Sequence, residues 1–430
     1  MPLRLAARAM AEGVMSIVED TPLRICVIAD GRSPISRSWI NHFSHAGHEM
    51  HLVSTFPCDA EGLNVASLYT APIALARFAG GSSGGASGSA GRMSNVKRRI
   101  VSALLPTVYG WIAPFDVNRH VAGVRKHIRA VNPDVVHGMR IQYEGVLAAK
   151  VVSGLSYPLL ISIWGNDLEW WASRYPLVSR LAHRVLERAS ALHPDCTRDL
   201  HLAEQWGWDA AKPAAVLPTN GGVRTELFHR GAADPSLCQR FGIPGNAHVV
   251  LNARGFRSYV RNDTFFQSIP RILEQHPDVI FVCVGMLGDP RAVRWCEKLG
   301  IASSVRLLPS VSRADMAGLF RAAHVAVSPS HFDGTPNTLL EAMACGAFPV
   351  SGDIPSVREW IDHGQNGLLC DPGNAQALSA AVHQALADVS FRQRAARINE
   401  AVIRNRAEYT STMSRAQALY RSAVAAGSTS

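Results

Sequence analysis

Several features that would assign the chain to a common class of protein are missing from its sequence. The eight cysteines contain no Cys-x-x-Cys pair and no cysteine–histidine cluster at metal-ligand spacing. This argues against a zinc site or a disulfide framework and favours reduced thiols in the cytoplasm. No stretch approaches the roughly 18 consecutive apolar residues that a membrane helix needs. Residues 1–21 have no long apolar core, so we expect a loose leader rather than a cleaved signal.

Two classes of nucleotide-binding protein also lack their usual signals. The 43 Lys and Arg residues outnumber the 34 Asp and Glu residues, which gives a net charge of +9 and predicts an anionic partner. No nucleic-acid motif is present, and aromatic residues are not interleaved with the basic ones, so we expect phosphate ligands or an anionic membrane surface instead of nucleic acid. The first strand is not followed by Gly-x-Gly-x-x-Gly, which disfavours an NAD-dependent oxidoreductase.

Short apolar runs alternate with helical patterns along most of the chain. Such runs, rich in β-branched residues, are typical of buried strands in a parallel sheet. They occur at residues 23–29, 48–54, 134–137, 157–163, 190–194, 248–252, 279–285, 305–309, 325–328 and 348–350. Repeated strand–loop–helix units predict an α/β protein whose ligand crevice lies beyond the carboxyl ends of the strands.

The stretch from Val325 to Leu369 contains the most specific chemistry. A loop rich in Pro, Gly and Asp follows its first strand, and a helix is predicted to begin at about Thr335. Backbone N–H groups between Gly334 and Thr338 lack intrahelical partners and lie at the positive end of the helix dipole, so they can bind a phosphate or sugar hydroxyls. Asp333 can accept two sugar hydroxyls and Glu341 a second diol. A helix cap and a solvated helix residue are the plainer alternatives.

The order of residues in this stretch resembles a known donor-site signature. The residues concerned are Asp333, Glu341, Ala342-Met-Ala344, Gly346, Pro349-Val350 and Gly367-Leu-Leu369. They resemble the signature of the family 4 retaining glycosyltransferases (glycosyl transferases group 1), whose GT-B fold has two Rossmann-like domains facing across a cleft. The resemblance implies transfer of a sugar from a nucleotide diphosphate sugar to an acceptor, with retained anomeric configuration. The family usually carries Glu where this chain has Asp333, so a degenerate member that binds without turnover is the alternative.

The same resemblance implies roles for residues of the second half. Arg254 and Arg261 would neutralise the diphosphate, and the main chain at Val311 would hold the base. Asp333 would position the sugar and Glu341 the ribose. The helix entry would complete the donor site with Gly334, Thr335, Asn337 and Thr338. No metal or other cofactor is implied, because the cations would do its work. Arg261 replaces a family lysine, and its planar fork also suits phosphate.

In the first half, three residues are candidates for the cleft. His137 ends the strand Pro-Asp-Val-Val-His, which resembles a family strand, although the second histidine of that pattern is Met139 here. Asp167 follows a strand and could orient an acceptor hydroxyl, and the loop at Gly31 would approach the donor phosphate. A structural histidine, a helix-capping aspartate and a plain turn are the open alternatives. Neighbouring candidates are Ser33, Ser36, Arg37 and Arg140.

The resemblance also predicts a domain organisation. Residues 22–217 would form the acceptor-side domain, with a flexible Gly/Ser loop at 80–91. Residues 218–395 would form the nucleotide-sugar domain, joined by a linker that bends at Pro218 and its neighbouring glycines, and a helix at 396–430 would cross back to the first domain. The acceptor would be a glycan or lipid-linked glycan of a cell-envelope polysaccharide or glycolipid. A phosphorylase is disfavoured, since Lys298 is the only lysine of the second domain and is predicted to be helical.

A basic amphipathic segment at residues 96–105 raises the question of membrane contact. Lys97, Arg98 and Arg99 are interspersed with apolar residues at helical spacing. Such a face could lie on anionic lipid, or it could pack its apolar side on the domain. The sequence therefore predicts a cytoplasmic protein and leaves peripheral contact with the inner face of the membrane open.

Overall fold

The computed structural model describes residues 21–73 and 113–427. These residues form two parallel sheets of six strands each, with apolar layers on both faces. The predicted α/β class with two Rossmann-like domains is therefore confirmed. The leader, the Gly/Ser segment 80–91 and the basic segment 96–105 lie outside the described residues.

The first sheet is built from β1 (Arg24–Ala29), β2 (Glu49–Ser54), β3 (Ser67–Thr70), β4 (Val135–Gly138), β5 (Leu159–Ile163) and β6 (Ala191–Pro194). Its spatial order is β3-β2-β1-β4-β5-β6. The second sheet is built from β7 (His248–Asn252), β8 (Val279–Val284), β9 (Val305–Leu308), β10 (Val325–Ser328), β11 (Phe348–Gly352) and β12 (Leu368–Cys370). Its order is β12-β11-β10-β7-β8-β9. Both orders reverse direction once, between β1 and β4 and between β7 and β10, which is where open α/β sheets bind ligands.

The helices of the first domain are α1 (Pro34–His45), α2 (Ala113–Val131), α3 (Val146–Val152), α4 (Pro176–Arg188) and α5 (Thr197–Gln205). Those that follow are α6 (Pro235–Arg240), α7 (Asn262–Leu273), α8 (Pro290–Lys298), α9 (Arg313–Ala322), α10 (Asn337–Cys345), α11 (Pro355–Arg358), α12 (Ala375–Ala387), α13 (Val389–Arg406) and α14 (Tyr409–Gly427). Irregular helical turns occur at Ile141–Gly145 and Asp167–Ala172. No helix among the described residues combines the length and apolar character that a membrane crossing requires.

Strand positions agree with the apolar runs to within a residue or two, but two edge strands were not predicted. β3 is half-exposed along its length, so it has no continuous apolar run to identify it. β12 has only three residues. The buried central strands, by contrast, are apolar on both faces, and their sequence signal is continuous.

The single helix expected at residues 396–430 is interrupted. α13 ends at Arg406 and packs through Ile403 on the core of the second domain, whereas α14 packs on the first sheet through residues that include Tyr420. The prediction of one uninterrupted helix is therefore wrong, because two helices lie on different domains and the chain must turn between them.

That turn lies beside the linker that first joins the domains. The Val223 N–H donates to the Ala407 carbonyl (2.7 Å), and the Tyr409 N–H donates to the Val223 carbonyl (2.9 Å). Gly222 has φ of 90°, and a Cβ there would lie 2.3 Å from the Ala407 carbonyl oxygen. Glycine is therefore required where the two crossings lie side by side.

Candidate functional site

A cavity of about 380 Å³ lies between the two domains, at the carboxyl ends of their strands. The first domain contributes the loop after β5, which contains Trp164 and Gly165, and Asp195 after β6. The second domain contributes Arg254 after β7 and the loop after β10 from Phe332 to Thr338. The cavity therefore reaches the point between β7 and β10 where the order of the second sheet reverses.

Arg254 and Asp333 form the polar centre of this cavity. The Arg254 Nη2 lies 2.5 Å from Asp333 Oδ2, and its Nη1 donates to Thr338 Oγ1 (3.1 Å). Burial raises the pKa of Asp333, while Arg254 and the Gly334 N–H oppose the rise. The Arg254 Nε is buried and has no partner among the described residues. Four of the predicted residues are thus brought together at the cavity: Arg254, Asp333, Gly334 and Thr338.

The helix entry differs in detail from the prediction. α10 begins at Asn337, with Pro336 as its cap, and not at about Thr335. The Thr335 N–H donates to Asp195 Oδ2 (2.8 Å), and its hydroxyl donates to the Asp195 carbonyl (2.6 Å). The first domain therefore satisfies both the backbone N–H and the hydroxyl of Thr335. The N–H groups of Asn337 and Thr338 have no such partner in the described part of the chain, and the Asn337 Oδ1 is buried without one.

Asp195 joins three segments and was not predicted. Its Oδ1 accepts from the Thr219 N–H (2.9 Å) while Oδ2 accepts from Thr335. Burial and the neighbouring charge of Asp199 raise the pKa of Asp195 to about 8. Its position directly after β6, at the cleft-facing end of a strand, is the signal that could have identified it.

Close backbone contact holds the two domains together beside the cavity. A Cβ on Gly165 would lie 2.3 Å from the Gly334 Cα, so glycine is required at this contact. Arg198 of α5 donates to the carbonyls of Asp333 (2.9 Å) and Gly165 (2.7 Å). In return, the Glu359 carboxylate of the second domain accepts the first two N–H groups of α5.

The second predicted cation lies elsewhere. Arg261 precedes α7 and forms a two-bond ion pair with Asp263 (2.9 and 2.7 Å). It is not among the residues that line the cavity, whereas Arg257 is. Within residues 21–73 and 113–427, the Arg257 side chain has no hydrogen bond or ion pair, although its carbonyl accepts from the Val260 N–H. The loop after β7 thus places Arg257 at the cavity and directs Arg261 towards Asp263.

Two further donor candidates lie outside the cavity lining. Glu341 is buried on α10 and accepts a hydrogen bond from Arg313 (3.0 Å). Burial raises the pKa of Glu341 to about 7, and Arg313 opposes the rise. Val311 is half-buried and packs on the core of the second domain.

His137 does not reach the cleft. It is fully buried, and its Nδ1 and Nε2 lie 2.6 Å from the Tyr420 hydroxyl and 2.8 Å from the Ser162 hydroxyl. Both ring nitrogens are therefore satisfied inside the first domain. The expected catalytic placement is corrected: these contacts support the structural alternative, in which His137 helps to attach α14.

The same hydrogen-bond chain continues in both directions. The Trp39 indole donates to the Tyr420 hydroxyl (2.9 Å), and Ser162 contacts His193 Nδ1 (2.9 Å). The His193 Nε2 must donate to the Leu217 carbonyl (3.0 Å), because a carbonyl can only accept. The other bonds then follow: Ser162 donates to His193 Nδ1, His137 Nε2 donates to Ser162, and the Tyr420 hydroxyl donates to His137 Nδ1. Burial lowers the pKa of His193 to about 4 and that of His137 as well, so both histidines in this series of hydrogen bonds are neutral.

Asp167 is also satisfied internally. Its Oδ1 accepts from Arg140 (2.8 Å), and its Oδ2 accepts from the N–H groups of Ile141 and Trp164 (both 3.1 Å). The carboxylate is fully buried, so it fixes the loops after β4 and β5 instead of facing an acceptor hydroxyl. Gly31 likewise packs tightly, since a Cβ there would lie 2.4 Å from the Cys58 sulfur.

A second cavity, of about 280 Å³, lies in the first domain where the order of its sheet reverses. Its lining includes Asp30 after β1, Arg140 after β4, and the sequence candidates Ser33 and Ser36. Trp164 lines both cavities. Arg37 is not part of either lining and donates to the Gly31 carbonyl (3.1 Å).

Comparison with known proteins gives matches in both domains. A model described as Glycosyl transferase 4-like domain matches residues 31–220, and one described as Glycosyl transferases group 1 matches residues 235–402. The D-inositol 3-phosphate glycosyltransferase of Thermobispora bispora is 27% identical over 231 residues, 50% of this chain and 52% of that protein. The protein of the same name from Thermomonospora curvata is 30% identical over 203 residues, 44% and 46% of the two chains. The chain thus spans about half the length of the curated relatives it matches.

Solved structures resemble the chain over both domains. Sucrose-phosphate synthase from Thermosynechococcus elongatus superposes with a TM-score of 0.70 at 15% identity, covering 94% of this chain and 100% of that one. Anabaena Alr3699/HepE in complex with UDP gives a TM-score of 0.69 at 18% identity, covering 92% and 99%. At these identities the similarity establishes the fold.

Proposed function

Since the chain belongs to the family 4 glycosyltransferases (glycosyl transferases group 1) and has their GT-B fold, we propose that it transfers a sugar from a nucleotide diphosphate sugar to an acceptor hydroxyl. The observation that carries the proposal is the arrangement of Arg254, Asp333 and Thr338 around the entry of α10, open to a cavity between the domains. Cation, carboxylate and helix N-terminus are the groups needed to hold a diphosphate and a sugar together.

In this proposal each group has a separate task. Arg254 and the exposed Arg257 neutralise the diphosphate, together with the N–H groups of Asn337 and Thr338. Asp333 accepts hydroxyls of the donor sugar, and Glu341 accepts those of the ribose. Arg254 orients Asp333 and leaves its own buried Nε unpartnered, a donor that a phosphate oxygen would satisfy.

The transfer step requires electrostatic stabilisation of the leaving group. The acceptor oxygen forms a bond to the anomeric carbon while the bond from that carbon to the phosphate oxygen breaks. The electron pair stays on the nucleoside diphosphate, whose oxygen also takes the acceptor proton. Arg254 and the helix dipole stabilise the charge that develops there. We also propose retention of the anomeric configuration, because the chain resembles retaining glycosyltransferases, and no metal ion, because the arginines would neutralise the diphosphate.

Uridine is the base that we test first, because solved structures of Anabaena Alr3699/HepE, a similar fold, contain UDP and UDP-glucose. The curated relatives named D-inositol 3-phosphate glycosyltransferase support an acceptor that carries several hydroxyl groups. We propose a cytoplasmic enzyme of cell-envelope glycan or glycolipid synthesis. Peripheral contact with an anionic membrane stays a prediction for residues outside the described ranges.

A donor screen tests the proposal. The purified protein is mixed with UDP-, GDP- and ADP-sugars, and thermal stabilisation and slow donor hydrolysis are measured. One nucleotide sugar should stabilise the wild type and lose its sugar, whereas Arg254→Ala and Glu341→Ala should lose both responses. Arg261→Ala is the matched control and should keep them. Stabilisation without hydrolysis or transfer would favour the alternative of a binding protein without turnover, and no response to any donor would contradict both.

A further inference from the structure

The cavity in the first domain contains polar groups that the transfer step does not use. It lies beside the donor cavity, and Trp164 lines both. Its other walls come from the turn after β4 and from Phe56 and Trp171. A ligand bound here would therefore lie next to the sugar being transferred.

The turn after β4 holds two polar side chains at this cavity. Tyr143 has φ of 62°, a left-handed conformation that is rare for a residue with a bulky side chain. Backbone strain of this kind persists where the surrounding structure enforces it, and often at functional sites. Gln142 and Glu144, on either side of Tyr143, both line the cavity although each is more than nine-tenths buried.

The orientation of the Gln142 amide follows from its one hydrogen bond. Its Nε2 donates to the Asp167 carbonyl (2.5 Å), and a carbonyl can only accept. The Gln142 Oε1 is therefore turned away from this contact. This oxygen is buried and has no partner among the residues that the structure describes. It is therefore an unsatisfied acceptor, which an O–H or N–H group of a ligand could satisfy.

Trp164 provides the complementary group. Its indole Nε1 is buried and also lacks a partner within the described ranges. Two residues that line the cavity therefore carry an acceptor and a donor without protein partners, and Phe56 and Trp171 add aromatic walls. Hydroxyl groups both donate and accept, and the apolar face of a sugar ring suits aromatic side chains.

The charged groups at this cavity are already paired. Asp30 accepts two hydrogen bonds from the Arg32 guanidinium (3.1 and 3.0 Å), and Arg140 is paired with Asp167. The Glu144 carboxyl adds an acidic group, which accepts from the Thr55 hydroxyl (2.8 Å). A phosphate or carboxylate ligand would meet no unpaired cation among the described lining residues, and it would meet Glu144. The electrostatics therefore favour a neutral ligand.

We propose that this cavity binds the acceptor as a neutral sugar ring, with Gln142 accepting from one hydroxyl and Trp164 donating to another. The inference rests on the proposed function, because it assigns the acceptor class for the same reaction. If the inference is right, this protein differs in acceptor recognition from an enzyme that binds its acceptor through a phosphate group.

The kinetic test compares matched acceptors in the presence of the donor found by the screen. Methyl glycosides of glucose, mannose and galactose are set against the corresponding sugar 6-phosphates and against D-inositol 3-phosphate. Nucleotide release should rise at least tenfold over donor hydrolysis with a neutral glycoside. Gln142→Leu should then raise the acceptor KM about tenfold, a larger change than in donor hydrolysis, which reports any general effect of losing the bond to the Asp167 carbonyl. Gln393→Leu, on the exposed face of α13, is the matched control.

A binding test does not depend on turnover. In protein with ¹⁵N-labelled tryptophan, the indole resonance lost in Trp164→Phe should shift when the methyl glycoside that best stimulates nucleotide release is added, or any of the three if none does. Inorganic phosphate at equal concentration should leave this resonance in place. A phosphorylated acceptor preferred tenfold over its neutral counterpart would overturn the inference, as would an unmoved Trp164 resonance with all three glycosides. Absence of donor binding, with the Trp164 shift intact, would instead contradict the proposed function alone.

Discussion

Polar residues follow the strands of both sheets, but the two domains use them differently. In the second domain Arg254 has a buried, unpartnered Nε and Arg257 has no ion pair within the described residues. In the first domain Arg140 is paired with Asp167, and His137 has a partner on each ring nitrogen. The comparison teaches that the type of residue at a strand end does not reveal whether that residue binds a ligand. The informative property is whether its side chain still has donors or acceptors without a partner in the protein.

Removing the donor-side cation should have the largest effect. Arg254→Ala takes away the charge beside the leaving diphosphate, so kcat/KM should fall by roughly 10² to 10³, the cost of losing one stabilising donor in a preorganised site. Steady-state kinetics with the donor identified by the screen would measure it. Arg261→Ala, which breaks only an exposed ion pair, should change kcat/KM less than about threefold. Equal losses in the two variants would contradict the assignment of Arg254.

Disturbing the contact between the domains should have the next largest effect. In Gly165→Ala the new methyl group would overlap the backbone of Gly334 and push the domains apart beside the cavity. Misplacement of about 1 Å can cost on the order of a hundredfold in rate, so kcat should fall by about this factor. The measurement is kcat at saturating donor. Gly245→Ala, where a Cβ meets nothing within 4 Å, should leave kcat unchanged.

Breaking the buried chain of the first domain should affect stability and not chemistry. His137→Ala leaves the Tyr420 and Ser162 hydroxyls without their partner and opens a cavity, at a cost of about 2–4 kcal/mol in the free energy of unfolding. Urea titration would measure this cost, and kcat per folded molecule should be unchanged. His201→Ala, on the exposed surface of α5, should stay within about 0.5 kcal/mol. A hundredfold fall in kcat without loss of stability would restore the catalytic assignment.

The last effect concerns the pH dependence of stability. Burial raises the pKa of Glu341 from 4.5 to about 7, so the folded protein binds a proton between these values that the unfolded chain releases. The stability from this group is complete below the unfolded pKa and is lost as pH rises through the folded one. The free energy of unfolding should therefore fall from pH 4.5 to 7 more steeply in the wild type than in Glu341→Gln, by at most about 1.4 kcal/mol per pH unit. Parallel curves in urea titrations across this range would contradict it.

The sequence was informative where a function and a local pattern coincide. In the loop after β10 the predicted residues from Asp333 to Thr338 belong to one continuous segment, and this segment lines the cavity between the domains. His137 was placed at the cleft because its partner Tyr420 is distant in the sequence, and Asp167 because two of its partners, Arg140 and Ile141, lie on the preceding strand's loop. Tyr420 lies 283 residues from His137, and no local pattern indicates that it returns to bond with a strand of the first domain.

The same limit explains the residues that the sequence analysis missed. Asp195 is important because it meets Thr335, which is 140 residues away. Gln142 stands out only when its single hydrogen bond shows which side of the amide is unsatisfied. The fold class follows from repeated local signals. Whether a polar atom has a hydrogen-bond partner depends instead on every segment that packs around it.

The paired crossings at Val223 and Ala407 constrain how this molecule can move. Because two hydrogen bonds join the crossings side by side, the linker and the returning chain form one connection between the domains instead of two independent ones. We expect any rotation of one domain against the other to turn both crossings together, with the positive-φ residues Gly221 and Gly222 absorbing the change in torsion. Such a rotation would separate Gly165 from Gly334 and would have to break the hydrogen bonds of Arg198 and Thr335 across the cleft. The contacts at the cleft, and not the crossings, therefore set the free-energy cost of opening it.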